Sequence, residues 1–171
     1  FNGLGAYEEK DETPFRFGAF TTMGELYIET GLSEINMKNY RRILSLDSAM
    51  AVVQFDKDGT EYQRKYFISY PDSVMVMKFT ANKKGKQNLV LSYCPSEAES
   101  YLSADGNNGL VYTGVLDNNK MKFAFRIKAL HKGGILKTEN DRIIVKDADE
   151  VVFLLTADTD YKMNSNPDFN D

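Results

Sequence analysis

Residues 120–129 read KMKFAFRIKA, and this stretch decides the fold class. Apolar side chains occupy every second position, namely Met121, Phe123, Phe125, Ile127 and Ala129. The intervening positions carry most of the charge, on Lys122, Arg126 and Lys128. A period of two places successive side chains on opposite faces of an extended chain. The pattern therefore predicts a β-strand with one face on a core and the other in water.

A β-hairpin is predicted upstream, in residues 49–69. Residues 49–55 (AMAVVQF) and 60–69 are its two strands, and the Asp58-Gly59 pair between them favours a tight turn. Tyr70-Pro71-Asp72 then ends the second strand, because proline lacks the donor N–H of a sheet ladder. The apolar run 74–79 predicts a strand that is covered on both faces.

Further strands are predicted wherever short apolar runs lie between turn residues. They are Glu25–Thr30, Arg41–Leu46, Leu89–Tyr93, Leu110–Val115, Arg142–Val145 and Val151–Leu155. Ser96–Ser103 is expected to form one short helix, and Ser33–Asn39 a loop. Strands spaced about 8–15 residues apart are typical of antiparallel sandwiches rather than of parallel sheets with crossover helices. The sequence therefore predicts an all-β fold, a supersandwich-like antiparallel β-sandwich with short connecting loops and little helix.

Composition excludes several classes of function. The chain has 171 residues, 42% of them hydrophobic, and a net charge of −4, so we expect no broad attraction to nucleic acid or to an anionic membrane surface. No apolar run approaches the roughly 20 residues that span a bilayer, so we expect no membrane insertion. A single cysteine, Cys94, excludes an internal disulfide, and a single histidine, His131, excludes a multi-histidine metal site.

Carboxylates are the first candidates for chemistry. The densest group comprises Asp158, Asp160, Asp168 and Asp171, which could bind Ca²⁺ or substrate or simply form a polar domain edge. The stretch Asp56-Lys57-Asp58-Gly59 is similar to the start of an EF-hand loop. It lacks the third oxygen ligand before the glycine, and Phe67 stands where that loop needs glutamate. We therefore predict no metal site and no cofactor.

Three other features have an ordinary structural interpretation. His131 is expected in a surface turn, and Cys94, beside Pro95 at a strand end, is expected to be packed. Lys83-Lys84-Gly85-Lys86 is the one tight basic cluster, and without interleaved aromatic residues it predicts a solvated hairpin tip.

Four polar residues near strand ends suggest either a site or buried corner hydrogen bonds. They are Arg41, Arg42, Tyr70 and Asp72. Both interpretations are compatible with their positions, so they are not assigned to a site.

Several motifs, taken in order, resemble one known family. They are GELY at 24–27, YRRILSLDSA at 40–49, YQRKYFISYPD at 62–72, Gly133-Gly134, DADE at 147–150 and TADTDY at 156–161. Together they resemble the N-terminal β domain of glycoside hydrolase family 95, the α-L-fucosidase and α-L-galactosidase family, over residues 15–171.

The resemblance implies a β-sandwich that precedes a helical linker and an (α/α)₆ catalytic barrel. In that family the catalytic residues lie in the barrel and the reaction inverts the anomeric centre. No catalytic residue is therefore assigned in this chain, and the substrate-binding residues stay unassigned. The implied parent protein is an inverting α-L-fucosidase or a related exo-glycosidase of the periplasm or the extracellular space. The implied partner is the missing catalytic domain of the same polypeptide.

The resemblance also divides the chain. Residues 1–14, including the charged run 8–12, are expected to be an irregular leader, 15–161 an incomplete sandwich domain and 162–171 the start of a linker. The resemblance also leads us to expect that the family's first strands are missing from this sequence. Their loss would expose a sheet edge or an apolar face, which favours self-association. Two alternatives stay open: an independent module that binds oligosaccharides, or a structural sandwich without a connection to sugars.

Overall fold

Twelve strands form the part of the chain that the structure, a computed structural model, describes, namely residues 22–95, 100–116 and 120–161. Their bounds are β1 Gly24–Glu29, β2 Lys38–Ser45, β3 Met50–Lys57, β4 Thr60–Ser69, β5 Val74–Ala81, β6 Gln87–Pro95, β7 Ser100–Ala104, β8 Gly109–Val115, β9 Lys122–Lys132, β10 Ile135–Glu139, β11 Arg142–Ala148 and β12 Glu150–Thr159. No helix occurs among these residues. The predicted all-β fold is therefore confirmed.

The strands form two antiparallel sheets of unequal width. The small sheet has the order β1-β6-β11-β10, and the large sheet has the order β2-β3-β4-β5-β12-β9-β8-β7. Four strands thus face eight. The small sheet packs over four neighbouring strands of the large one, β5, β12, β9 and β8. There the ring of Tyr93 in β6 contacts those of Tyr112 in β8 and Phe125 in β9, with centroids 4.6 and 4.5 Å apart.

The core lies between the sheets and contains the predicted apolar face of β9. Phe123, Phe125, Ile127 and Ala129 are all buried. The large sheet adds Phe79, Val151 and Phe153, and the small sheet adds Leu91, Ile143 and Val145 from β6 and β11. Charged positions of β9 alternate with these residues and lie on the outer face, as the sequence pattern predicts.

The hairpin of β3 and β4 is confirmed, with Lys57 paired to Thr60 across a two-residue turn. Asp58 and Gly59 both have positive φ, at 49° and 69°, which is the backbone that matches the twist of a two-stranded hairpin. No residue of β5 is exposed, as predicted for a strand covered on both faces.

One predicted local structure is wrong and another is too long by two residues. Residues 100–103 of the expected Ser96–Ser103 helix belong to strand β7, because they pair along the open side of β8. Residues 96–99 lie outside the described part. Lys38 and Asn39 of the expected Ser33–Asn39 loop belong to β2.

Besides β7, strand β10 has no counterpart in the sequence-based prediction. Strand β10 pairs with β11 through a two-residue turn in which Asn140 and Asp141 have positive φ of 50° and 56°. An Asn-Asp pair is a known signal for that turn.

Several expectations concern residues outside the described part. The leader 1–14 and the linker 162–171 belong there, so the predicted domain bounds stay predictions. No helix of the described residues is long and apolar enough to cross a membrane.

Gly134 offers a first test of the fold. A Cβ at Gly134 would lie 2.2 Å from the carbonyl oxygen of Lys146, whereas a Cβ at Gly31, which has nearly the same φ, would meet nothing within 4 Å. We expect Gly134→Ala to lower the free energy of unfolding by about 3 kcal/mol or more, and Gly31→Ala by about 1 kcal/mol. Urea denaturation measures both values, and equal losses would contradict the close packing at Gly134.

Glu150 offers a second test, through pH. Hydrogen bonds from Lys78 and Lys132, with N–O distances of 2.6 and 3.0 Å, lower the pKa of Glu150 below its ordinary value. A carboxyl group with a lowered pKa contributes stability above its unfolded-state pKa and loses it as the pH falls through the folded-state pKa. Glu150→Gln should therefore destabilise the chain most near pH 7 and progressively less below about pH 4.

The measurement for Glu150 is thermal unfolding between pH 3 and pH 7. Asp47→Asn, in the exposed turn after β2, is the control. Its effect on the unfolding temperature should not shrink between pH 7 and pH 3 as that of Glu150→Gln does. A penalty for Glu150→Gln that is the same at every pH would show that the two lysines do not hold the carboxylate.

Candidate functional site

The most distinctive surface is the part of the large sheet that the small sheet leaves uncovered. We call it the open face: the core-side face of β2, β3 and β4. The register defines it, because Leu44 pairs with Ala51 and Ala51 with Tyr66. Tyr66 meets the core residue Phe79 edge to face, with ring centroids 6.1 Å apart, so this row belongs to the core side.

One end of the open face is closed by the segment between β1 and β2. The ammonium group of Lys57 donates a hydrogen bond to the carbonyl oxygen of Ile35, which holds this segment across β3. Phe55 is buried there between Tyr40 and Tyr62, at centroid distances of 6.4 and 5.2 Å. Phe55 is only 2% exposed, so its ring cannot act as a platform for a sugar.

Two arginines lie on the open face in one cross-strand row. Arg42 pairs with Val53, and Val53 pairs with Arg64. Strand spacing places the backbones of the two arginines about 10 Å apart. The Nε of Arg42 donates to the Tyr40 hydroxyl at 2.6 Å, and the guanidinium of Arg64 lies 5.1 Å from the centroid of Phe55 and 5.8 Å from that of Phe79.

These arginines lack acidic partners. Within the described ranges, no carboxylate forms an ion pair with Arg42 or Arg64, and the open face of β2, β3 and β4 carries no acidic residue. Burial raises the pKa of Tyr66, and the charge and hydrogen bond of Arg64 partly offset that rise. The result is a cationic and aromatic surface with unused guanidinium donors.

The other end of the open face is apolar and exposed. Leu44 is 70% exposed and Ile68 is 72% exposed, and both lie on the face of Tyr66. Leu46 and Tyr70, in the turns at the same end, are 83% and 92% exposed. Large apolar side chains gathered in this way mark interaction surfaces more often than ordinary protein surface.

The four polar residues near strand ends do not form one site. Arg41 pairs with Gln54 on the outer face, whereas Arg42 lies on the open face. Tyr70 and Asp72 lie in the turn after β4, where the Ser69 hydroxyl donates to the Asp72 carboxylate at 2.6 Å. All four are exposed, so the interpretation as buried corner hydrogen bonds is wrong.

The remaining candidates are corrected in part. Cys94 is exposed rather than packed. His131 is at the surface as expected, although it belongs to β9 rather than to a turn. The segment Lys83–Lys86 is largely exposed, but it connects the large sheet to the small one and is not a hairpin tip.

The acidic candidates show no metal geometry. Asp158 and Asp160 accept hydrogen bonds from the backbone N–H groups of Thr159 and Lys122, each at 2.8 Å. Asp168 and Asp171 lie outside the described residues. Asp56 and Asp58 belong to the β3–β4 hairpin and its turn, and within the described chain no group of three potential metal ligands occurs.

Sequence reasoning did not identify the pair of Arg42 and Arg64 or the apolar end beside it. The alternation in β4 indicates that Arg64 and Ile68 share a face. No sequence pattern within β2, β3 or β4 indicates that the small sheet leaves this face uncovered.

Comparisons with known proteins agree on the class of domain. Residues 5–164 match the family described as "Glycosyl hydrolase family 65, N-terminal domain". The chain is 29% identical to "Probable alpha-fucosidase A" of Aspergillus niger over 165 residues, which is 90% of this chain and 20% of that protein. It is 22% identical to "Alpha-L-fucosidase 2" of Arabidopsis thaliana over 83% of this chain and 20% of that protein.

A solved chain named "Putative kojibiose phosphorylase from human microbiome" shares the fold, with a TM-score of 0.53 and 11% identity over 86% of this chain and 22% of that one. This chain thus spans about a fifth of the length of the curated relatives it matches. The expected class, an N-terminal β domain of glycosidase type with fucosidase relatives, is confirmed, although the matching family is numbered 65 rather than 95.

The contact between Arg64 and Tyr66 can be tested by titration. Arg64→Met removes the charge and the hydrogen bond that lower the pKa of Tyr66, so that pKa should rise further. Tyrosine labelled with ¹³C at Cζ reports it by NMR. Arg41→Met, on the outer face of β2, is the control and should leave Tyr66 unchanged. An unaltered Tyr66 titration in Arg64→Met would contradict the contact.

Proposed function

We propose, from the premise that the chain belongs to the family of glycosyl hydrolase family 65 N-terminal domains, that it is the non-catalytic N-terminal β-sandwich domain of a longer glycosidase. Its relatives are named as fucosidases, which supports an α-L-fucosidase or a related exo-glycosidase as the parent enzyme. The ordered motifs from Gly24 to Tyr161 favour the family 95 type, in which the anomeric centre is inverted.

One observation carries the proposal. The match covers 90% of this chain but only 20% of the Aspergillus niger relative, so about four-fifths of that protein lies outside the matched region. Hydrolysis of a glycoside needs an acid and a second carboxylate held about 5–10 Å apart on either side of the scissile bond. We assign that pair to a catalytic (α/α)₆ barrel elsewhere in the parent polypeptide, as the family 95 resemblance implies.

The charges of the described residues are consistent with a supporting role. Glu150 is held by Lys78 and Lys132, and Asp105 is held by Arg126 and Lys128 at 3.1 and 3.0 Å. These carboxylates stabilise the large sheet and its connecting turn. The hydrogen bonds from Lys78 and Lys132 lower the pKa of Glu150, which leaves that carboxyl group poorly suited to donate a proton to a leaving group.

The enzymatic test compares the 171-residue chain with the longer parent polypeptide that contains it. The substrate is 4-nitrophenyl α-L-fucoside. We expect no turnover above the blank for the chain. We expect hydrolysis by the longer polypeptide, with β-L-fucose as the first product seen by NMR. Turnover by the chain itself that disappears in the variant carrying Asp158→Asn and Asp160→Asn would contradict the proposal.

Calorimetry of the chain with fucosylated oligosaccharides tests the oligosaccharide-binding alternative. The supporting role predicts no measurable heat of binding for the chain alone. Millimolar or tighter affinity would favour an independent carbohydrate-binding module instead.

A further inference from the structure

We infer that the open face is the surface through which this domain packs against the rest of its polypeptide, and that the segment seated there carries carboxylates among apolar side chains. This inference rests on the proposed function in one respect, that the chain is one domain of a longer protein. It adds which surface is used and the chemistry of the segment that covers it.

The apolar end of the open face supports the first part. Leu44 and Ile68 are two strands apart on the same face, and each exposes more than two-thirds of its surface. Tyr66, Met75 and Leu155 lie beside them and pack against the core cluster. A segment laid over Leu44 and Ile68 would therefore continue the existing core rather than form a separate contact.

The two arginines specify the chemistry of that segment. A guanidinium group presents a rigid, planar set of donors that matches the two oxygens of a carboxylate. It is also more weakly hydrated than an ammonium group, so it is buried at lower cost. Arg42 is exposed and Arg64 is half-buried on this face, and neither has an acidic partner among the described residues. An aliphatic segment without carboxylates would bury these charges unpaired, which is costly.

The same charges argue against a second copy of the chain as the occupant. Two open faces packed together would place four arginines in one interface, and this face provides no carboxylate to pair with them. Like charges opposed across an interface disfavour association. The inferred occupant is therefore a different segment, and the four-fifths of the fucosidase relatives outside the match shows how much polypeptide could supply it.

The outer face of the large sheet provides the contrast. Four of its cations are paired, since Lys78 and Lys132 bind Glu150, and Arg126 and Lys128 bind Asp105. Its Arg41 has no ion pair among the described residues, so the contrast is one of degree. Within the described residues, the open face combines an exposed apolar end with two arginines that have no carboxylate partner.

Cysteine labelling tests the inference directly. Leu44→Cys, Ile68→Cys and the control Ile135→Cys are made singly in a Cys94→Ser background, because Cys94 is exposed. Ile135 is 67% exposed and lies in β10, an edge strand of the small sheet, whereas β2 and β4 belong to the large sheet. Rates of maleimide labelling are measured in the 171-residue chain and in the longer polypeptide.

In the chain, all three cysteines should label at similar rates. In the longer polypeptide, labelling at positions 44 and 68 should slow by about tenfold or more, because access then requires separation of the packed surfaces. Labelling at position 135 should not change. Adding Arg42→Glu to the Ile68→Cys variant should restore most of the lost rate, whereas adding Arg142→Glu, on an exposed position of β11, should restore none.

Three outcomes would overturn the inference. One is equal labelling of all three positions in the longer polypeptide. Another is protection in the 171-residue chain that rises with protein concentration, which indicates a second copy. The third is concentration-independent protection in that chain, which indicates cover from within it. The glycosidase assay is separate: protection without hydrolysis keeps this inference and removes the proposed function, and hydrolysis without protection does the reverse.

Discussion

Unequal sheet width is the constraint on which the rest of this structure depends. A small sheet of four strands packs on a large sheet of eight, and the aromatic and branched side chains of β5, β6, β8, β9, β11 and β12 fill the space between them. Four strands cannot cover eight. Within the described residues, the strands β2, β3 and β4 therefore keep their core-side face without a facing sheet.

The side chains of β2, β3 and β4 reflect this position. Where the connection between β1 and β2 crosses β3, Phe55 is buried and Lys57 is held by the carbonyl oxygen of Ile35. Beyond that crossing, the same face ends in Leu44 and Ile68, which are largely exposed. Arg42 and Arg64 lie between these two regions. The change from covered to uncovered surface occurs within single strands, so it reflects missing cover and not a different kind of strand.

The sequence predicts the parts of the fold that have local causes. The alternation in residues 120–129 predicts β9, and Asp58-Gly59 predicts the hairpin turn, because period and turn chemistry act over a few residues. Strand β7 was missed because its five residues are extended only through pairing with β8. The open face was missed for a related reason. That Arg42 and Arg64 share one row, and that no sheet covers it, follows from the strand order of both sheets, which no local pattern encodes.

The central claim is that the open face is an interior surface of a larger protein. An experimental structure of the longer polypeptide tests it most directly. The account predicts that Leu44 and Ile68 are covered by a segment outside residues 1–171, with a carboxylate in ion-pair contact with Arg42 or Arg64. Leu44, Ile68 and both arginines facing solvent, while another surface of the domain meets the rest of the protein, would contradict it.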